Sequence, residues 1–146
     1  MKLYAKAILL ILLFASSAAL AQPAFYKTYT LPAEAVTPAV NILYQDKQGY
    51  ILVGASTGLY RFDGISFYKF SKDKNIPDEV TAICQAKDGK TWIGFADGKL
   101  GWLQKNKLVL QNPEEGLPKK AIKKIVQDSA GVVWIATAGE GVYYYT

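Results

Sequence analysis

An all-β fold of about three four-stranded antiparallel modules is predicted by three observations on this 146-residue chain. A unit of 40–42 residues returns in three copies. Each copy breaks into runs of about four to six residues that read as short strands. Gly and Asp turns separate the runs, and no 3.6-residue spacing lies between them.

The chain opens on a different kind of segment. Lys2 and Lys6 precede an uninterrupted apolar run, Ile8–Phe14, and Ala19-Leu20-Ala21 has the small-x-small pattern of a signal peptidase site. The apolar stretch is short against the roughly 20 residues that a bilayer span needs. Residues 1–21 are therefore read as a signal peptide. Residues 22–146 follow as the folded part, working outside the cytoplasm.

That part is one domain's worth of chain, 125 residues with fifteen basic and twelve acidic side chains. A net charge of +3 is too mild for a nucleic-acid or membrane-surface binder. Histidine is absent, which excludes Ser–His–Asp and Cys–His catalysis and every His-ligated metal. The single Cys84 permits neither an internal disulfide nor a thiolate zinc site. No cofactor is expected and no catalytic residue is assigned.

The repeat is visible in three registers. The turn glycines Gly49, Gly89 and Gly131 stand 40 and 42 residues apart, and Leu52, Trp92 and Trp134 keep the same intervals. So do Val40, Val80 and Ile122. The units run approximately 25–63, 64–104 and 105–146. In the second, Ser66–Phe70, Val80–Gln85, Thr91–Gly94 and Leu100–Gln104 are the four strands. Phe25–Thr30 and Lys107–Gln111 hold the place of Ser66–Phe70 in the other copies. Read as a blade's outer strand without its partners, Phe25–Thr30 is expected to be a loose or edge strand.

Four strands in 40–42 residues is the period of a β-propeller blade, so the chain is read as an incomplete propeller. Asp46 with Gly49, and Asp128 with Gly131, sit at the first and fourth positions of type I turns. Trp92 and Trp134 are flat groups suited to wedging between stacked blades. Gly54, Gly94 and Ala136 follow that bulky position by two and let strands converge near the axis.

These residues resemble the two-component regulator propeller repeat, whose core reads D-x-x-G-x-[ILV]-W-[IV]-G-T followed by a Gly-Leu-Tyr strand. Asp46–Gly54 with Gly58-Leu59-Tyr60, and Asp128–Thr137 with Gly141-Val142-Tyr143, match it. Asp88–Gly94 matches with its Asp moved beside Gly89, and Leu52 and Ala136 depart from Trp and Gly. The resemblance covers Phe25–Thr146. It implies a non-enzymatic, periplasmic sensor region of a histidine kinase or hybrid two-component system, often carbohydrate-responsive. It implies further blades, a membrane span and a transmitter beyond this N-terminal fragment. The expected partners are a small-molecule or glycan ligand and the remaining blades or another chain. The membrane would be reached only through the later parts. The alternatives are an exported propeller enzyme, a lyase or dehydrogenase, and a protein-binding scaffold.

Candidate ligand contacts are the aromatics and loops that do not repeat: Phe95, Asp97 and Trp102. Loops at the mouth of such a scaffold are held around one axis. The basic cluster Lys119–Lys124 reads as a solvated loop and strand, and Cys84 as a buried inert thiol.

Overall fold

The computed structural model describes residues 25–32, 36–70, 73, 75–112 and 116–146. The expected signal peptide, residues 1–21, lies outside them. The chain divides into two compact units, residues 1–30 and residues 31–146. In the first, Phe25–Thr30 is exposed and belongs to no strand. Of the loose or edge strand expected there, the segment takes the loose form: among the described residues, no sheet ladder includes it.

Among its described residues, the second unit holds eleven strands and no helix. They are β1 (Val40–Gln45), β2 (Ile51–Ala55), β3 (Gly58–Phe62), β4 (Phe67–Lys69), β5 (Val80–Gln85), β6 (Thr91–Phe95), β7 (Leu100–Gln104), β8 (Lys107–Leu110), β9 (Ile122–Gln127), β10 (Val133–Thr137) and β11 (Val142–Tyr145). Three antiparallel sheets result, ordered β1-β2-β3-β4, β5-β6-β7-β8 and β9-β10-β11. The fold is all-β and built of propeller-type blades, the third with three strands where four were expected.

The sheets do not coincide with the repeat units 25–63, 64–104 and 105–146. β4 pairs with β3, and β8 pairs with β7. The strand that heads a sequence unit therefore closes the sheet before it. Chain length explains this. Asp63–Ser66 and the two-residue turn Lys105-Asn106 fold β4 and β8 straight back onto the strand just finished. Ten and eleven residues separate them from β5 and β9.

The repeated turns have the geometry their residues dictate. The amides of Gly49, Gly89 and Gly131 donate to the carbonyls of Asp46, Ala86 and Asp128, at 3.0, 3.0 and 3.3 Å. All three glycines have φ near +90°, a region costly to a side chain. Asp46 Oδ1 accepts from the amides of Gln48 and Tyr50, and Asp128 Oδ1 from Val132. Asp88, one place from the Gly, accepts from the Lys90 amide at 2.9 Å.

Between sheets, β1 lies against β5 and β5 against β9, so the modules fan out from their first strands. One core joins the first two sheets through Leu52, Leu59, Phe70, Ile83, Ile93 and Phe95. A second joins the next two through Trp92, Leu100, Ile122, Ile125 and Ile135. Gly54 and Gly94 prove to serve this stacking. A Cβ on Gly54 would stand 2.6 Å from Val80 Cγ1, and one on Gly94 would stand 2.6 Å from Ile122 Cγ2. Each glycine thus receives the first residue of the following sheet.

Polar contacts repeat with the same step. Gln85 Oε1 accepts from the Lys47 amide at 2.9 Å, and Gln127 Oε1 from the Lys87 amide at 2.7 Å. Asn41 Nδ2 donates to the Val80 carbonyl, and Thr81 Oγ1 to the Ile122 carbonyl. Trp92 wedges against the third sheet, its ring centroid 5.2 Å from that of Tyr145. Trp134 is exposed instead, its Nε1 donating to Asp128 Oδ2 at 2.8 Å and its ring beside Tyr144.

Candidate functional site

The three expected ligand contacts are not brought together. Phe95 is wholly buried in the core between the first two sheets, where a ligand cannot reach it. Its step from the repeat reflects packing. Asp97 lies on the exposed β6–β7 turn, where its carboxylate accepts from the Lys99 amide and pairs with the Lys99 ammonium at 2.9 Å. Trp102 is half-buried and pairs with Trp92 towards the opposite end of β6. From residue 95 to residue 92 the strand advances about 10 Å.

Trp102 belongs to a filled space. The Lys90 ammonium lies 3.9 Å from the ring centre of Trp92, 4.3 Å from that of Trp102 and 5.8 Å from that of Tyr145. Burial among these rings pushes the Lys90 amine below the usual lysine range, with Asp88 acting the other way. Indoles, phenol and lysine stem together close the junction between the second and third sheets.

The equivalent junction between the first and second sheets is open. Leu52 holds the place of Trp92, Arg61 that of Trp102, and Tyr50 that of Lys90. Leucine is too short to reach where the indole lies. A groove of about 300 Å³ results, lined by Asp46, Gln48, Tyr50, Leu52, Arg61, Phe70, Gln85, Gly89, Thr91, Leu103, Lys105 and Asn106. Its lining is mostly polar, with Tyr50, Leu52, Phe70 and Leu103 as the apolar members.

Three elements position its polar groups. The β1–β2 turn supplies Asp46, Gln48 and Tyr50, and the Asp46 carboxylate is engaged by two amides of its own turn. β3 supplies Arg61, whose guanidinium carbon lies 4.8 Å from the ring centre of Tyr50, 5.6 Å from Tyr68 and 5.8 Å from Phe70. The β7–β8 turn supplies Lys105 and Asn106, at φ +46° and +64°, the left-handed pair that a two-residue hairpin demands. Arg61 Nη1 donates to Asn106 Oδ1 at 3.3 Å, tying the two sheets across the groove.

Cys84 is half-buried, and burial pushes its thiol above the ordinary range, so it is held as the thiol at neutral pH. The amides of Lys119 and Lys120 donate to Glu140 Oε2, fastening the basic loop to the β10–β11 turn. Among the described residues, no group of three His, Cys, Asp or Glu side chains is placed to hold a metal ion. The groove residues Tyr50, Arg61, Lys105 and Asn106 were not singled out from sequence. The available signal was the Leu at position 52 in a repeat that otherwise carries Trp.

Comparison with known proteins agrees with this architecture. The family model described as "Two component regulator propeller" matches residues 116–139. No curated protein matches the chain. Among solved structures, the extracellular domain of a hybrid two-component system from B. thetaiotaomicron is similar with a TM-score of 0.64 and 29% identity, covering 80% of this chain and 17% of that one. Virginiamycin B lyase from Staphylococcus aureus shares the fold at a TM-score of 0.58 and 13% identity, covering 80% of this chain and 43% of that one. The chain thus spans about a sixth of the first and less than half of the second.

Proposed function

We propose that this chain, which carries the two-component regulator propeller repeat, is a non-enzymatic sensing module of an extracytoplasmic two-component receptor that responds to carbohydrate. The observation that carries this reading is the 29% identity, over 80% of the chain, to the extracellular domain of a hybrid two-component system. Such a domain meets its ligand outside the cytoplasm, in keeping with an export signal at residues 1–21. The lyase likeness is a likeness of fold.

The ligand site is the groove between the first two sheets. Tyr50 offers a ring face, Gln48 and Asn106 offer amides, and Arg61 and Lys105 offer charge. Ring faces with fixed hydrogen-bonding groups are what a pyranose requires. The groove spans two modules, so an occupant touches both and biases their relative placement. In the complete receptor, that bias reaches the transmitter through the blades and domains that follow.

The test is a fluorescence titration of the chain with a panel of oligosaccharides, repeated on Leu52→Trp. An indole at position 52 is expected to fill the groove as Trp92 fills the next junction and to abolish saturable binding; because Leu52 is itself buried, a melting curve first shows that the variant is folded. Equal binding by wild type and Leu52→Trp would overturn this site, and no saturable response to any saccharide would overturn the carbohydrate reading.

A further inference from the structure

We infer that the groove between the first and second sheets selects an anionic saccharide, one that carries a carboxylate on the sugar ring, and that Arg61 is the residue that selects it. This rests on the groove being the ligand site proposed above.

Arg61 is held by aromatic rings. Tyr50, Tyr68 and Phe70 surround its guanidinium, with ring centres 4.8–5.8 Å away. Asn106 accepts one of its five N–H bonds. Among the described residues, no carboxylate lies within ion-pair distance of it. The rings fix the plane of the fork while leaving most of its edge donors uncommitted. A planar fork of this kind matches a carboxylate with two parallel hydrogen bonds, which a lysine ammonium cannot do.

The charge around it points the same way. Arg61 and Lys105 are the cations lining the groove, and Asp46 is the acid. The Asp46 carboxylate is turned into its own β-turn, where Oδ1 accepts from the Gln48 and Tyr50 amides at 3.0 and 2.9 Å. The groove is therefore a net acceptor of negative charge. Tyr50, against which Arg61 is stacked, brings a ring face to the same space, so a carboxylate on Arg61 and a sugar ring on Tyr50 can be held together. The second junction shows the contrast: Trp92, Trp102 and Tyr145 surround a cation of the protein's own, Lys90.

The experiment titrates the chain by calorimetry with trigalacturonate and with its fully methyl-esterified form, which keeps the skeleton and removes the charge. A triglucuronate serves as a second acid. Wild type is expected to bind an acid form at least tenfold more tightly than the ester, and more weakly as salt rises. Arg61→Gln keeps a polar stem over the rings and removes the charge; it is expected to lose that preference. Arg61→Lys is expected to recover only part of it, because a point charge replaces the fork. Leu52→Trp is expected to lose all three ligands, and melting curves establish that each variant is folded.

Equal affinity for acid and ester, an unchanged preference in Arg61→Gln, or no binding of either acid would overturn the inference. A neutral saccharide that binds wild type, is lost in Leu52→Trp and ignores Arg61→Gln would overturn the anionic preference while leaving the groove as the sensor site.

Discussion

Gly94 and Ile122 meet where one module stacks on the next: the place of a Gly94 side chain is taken by Ile122 Cγ2, 2.6 Å from where a Cβ would stand. Ile122 is fully buried, and Ala82 closes the other side at 3.2 Å. Neither can move away freely. Gly94→Ala is expected to destabilise the chain by about 1–3 kcal/mol through over-packing, read as a lower urea midpoint at unchanged slope. An unchanged midpoint would show that the second and third sheets are not locked at this contact.

Gln85 and Gln127 each bind their own turn and the module before it. Gln85 Nε2 donates to the Gly89 carbonyl at 3.3 Å, and Gln127 Nε2 to that of Gly131 at 2.9 Å, while their Oε1 atoms hold the Lys47 and Lys87 amides. Gln85→Ala and Gln127→Ala are each expected to cost about 0.5–1.5 kcal/mol. Gln45 makes the turn contact, at 3.4 Å, and among the described residues no sheet precedes its own. Gln45→Ala should cost the least of the three in chemical denaturation, and an equal loss for all would refute the bridging role.

Asp128 gives acid sensitivity to the third sheet. The Trp134 indole N–H, followed by backbone amides of its turn, holds the Asp128 carboxyl below its usual value. A carboxylate depressed in the folded state adds stability above its unfolded pKa and loses that contribution as pH falls through its folded pKa. Acidification below about pH 4, the ordinary aspartate value, is therefore expected to weaken the third sheet and shift the Trp134 emission. Asp128→Asn should flatten that response. Trp134→Phe should return the Asp128 titration, followed by carboxyl NMR, towards the ordinary value.

Equivalent positions differ in exposure at the two flanks. Leu43 is 64% exposed where Ile83 and Ile125 are 4% and 3%, and Trp134 is 40% exposed where Leu52 and Trp92 are 1% and 2%. Each exposed residue has the position of one that is buried against a neighbouring sheet. The chain is expected to self-associate, its weight-average mass in sedimentation rising with concentration. Leu43→Lys and Trp134→Lys should each lower that rise. A concentration-independent monomer would show that these surfaces stay solvated.

Amino-acid order alone carried the strands, the turns and the period. Glycines at positive φ, Asp side chains folded onto the next amides and two-residue alternation act over a few residues, so Val80–Gln85, Leu100–Gln104 and the turn at Gly49 were legible without coordinates. The wedge of Trp92 followed from its size and recurrence. What tertiary structure decided were relations across some forty residues. Those include the sheet that Phe67–Lys69 closes, the burial of Phe95, the exposure of Trp134, and the opening at Leu52 around a ring-held Arg61. The physical reason is that local hydrogen bonding shapes a strand or turn wherever it occurs. Whether the same side chain becomes core, surface or binding wall depends on the neighbour stacked on it, and three similar repeats here have three different neighbourhoods.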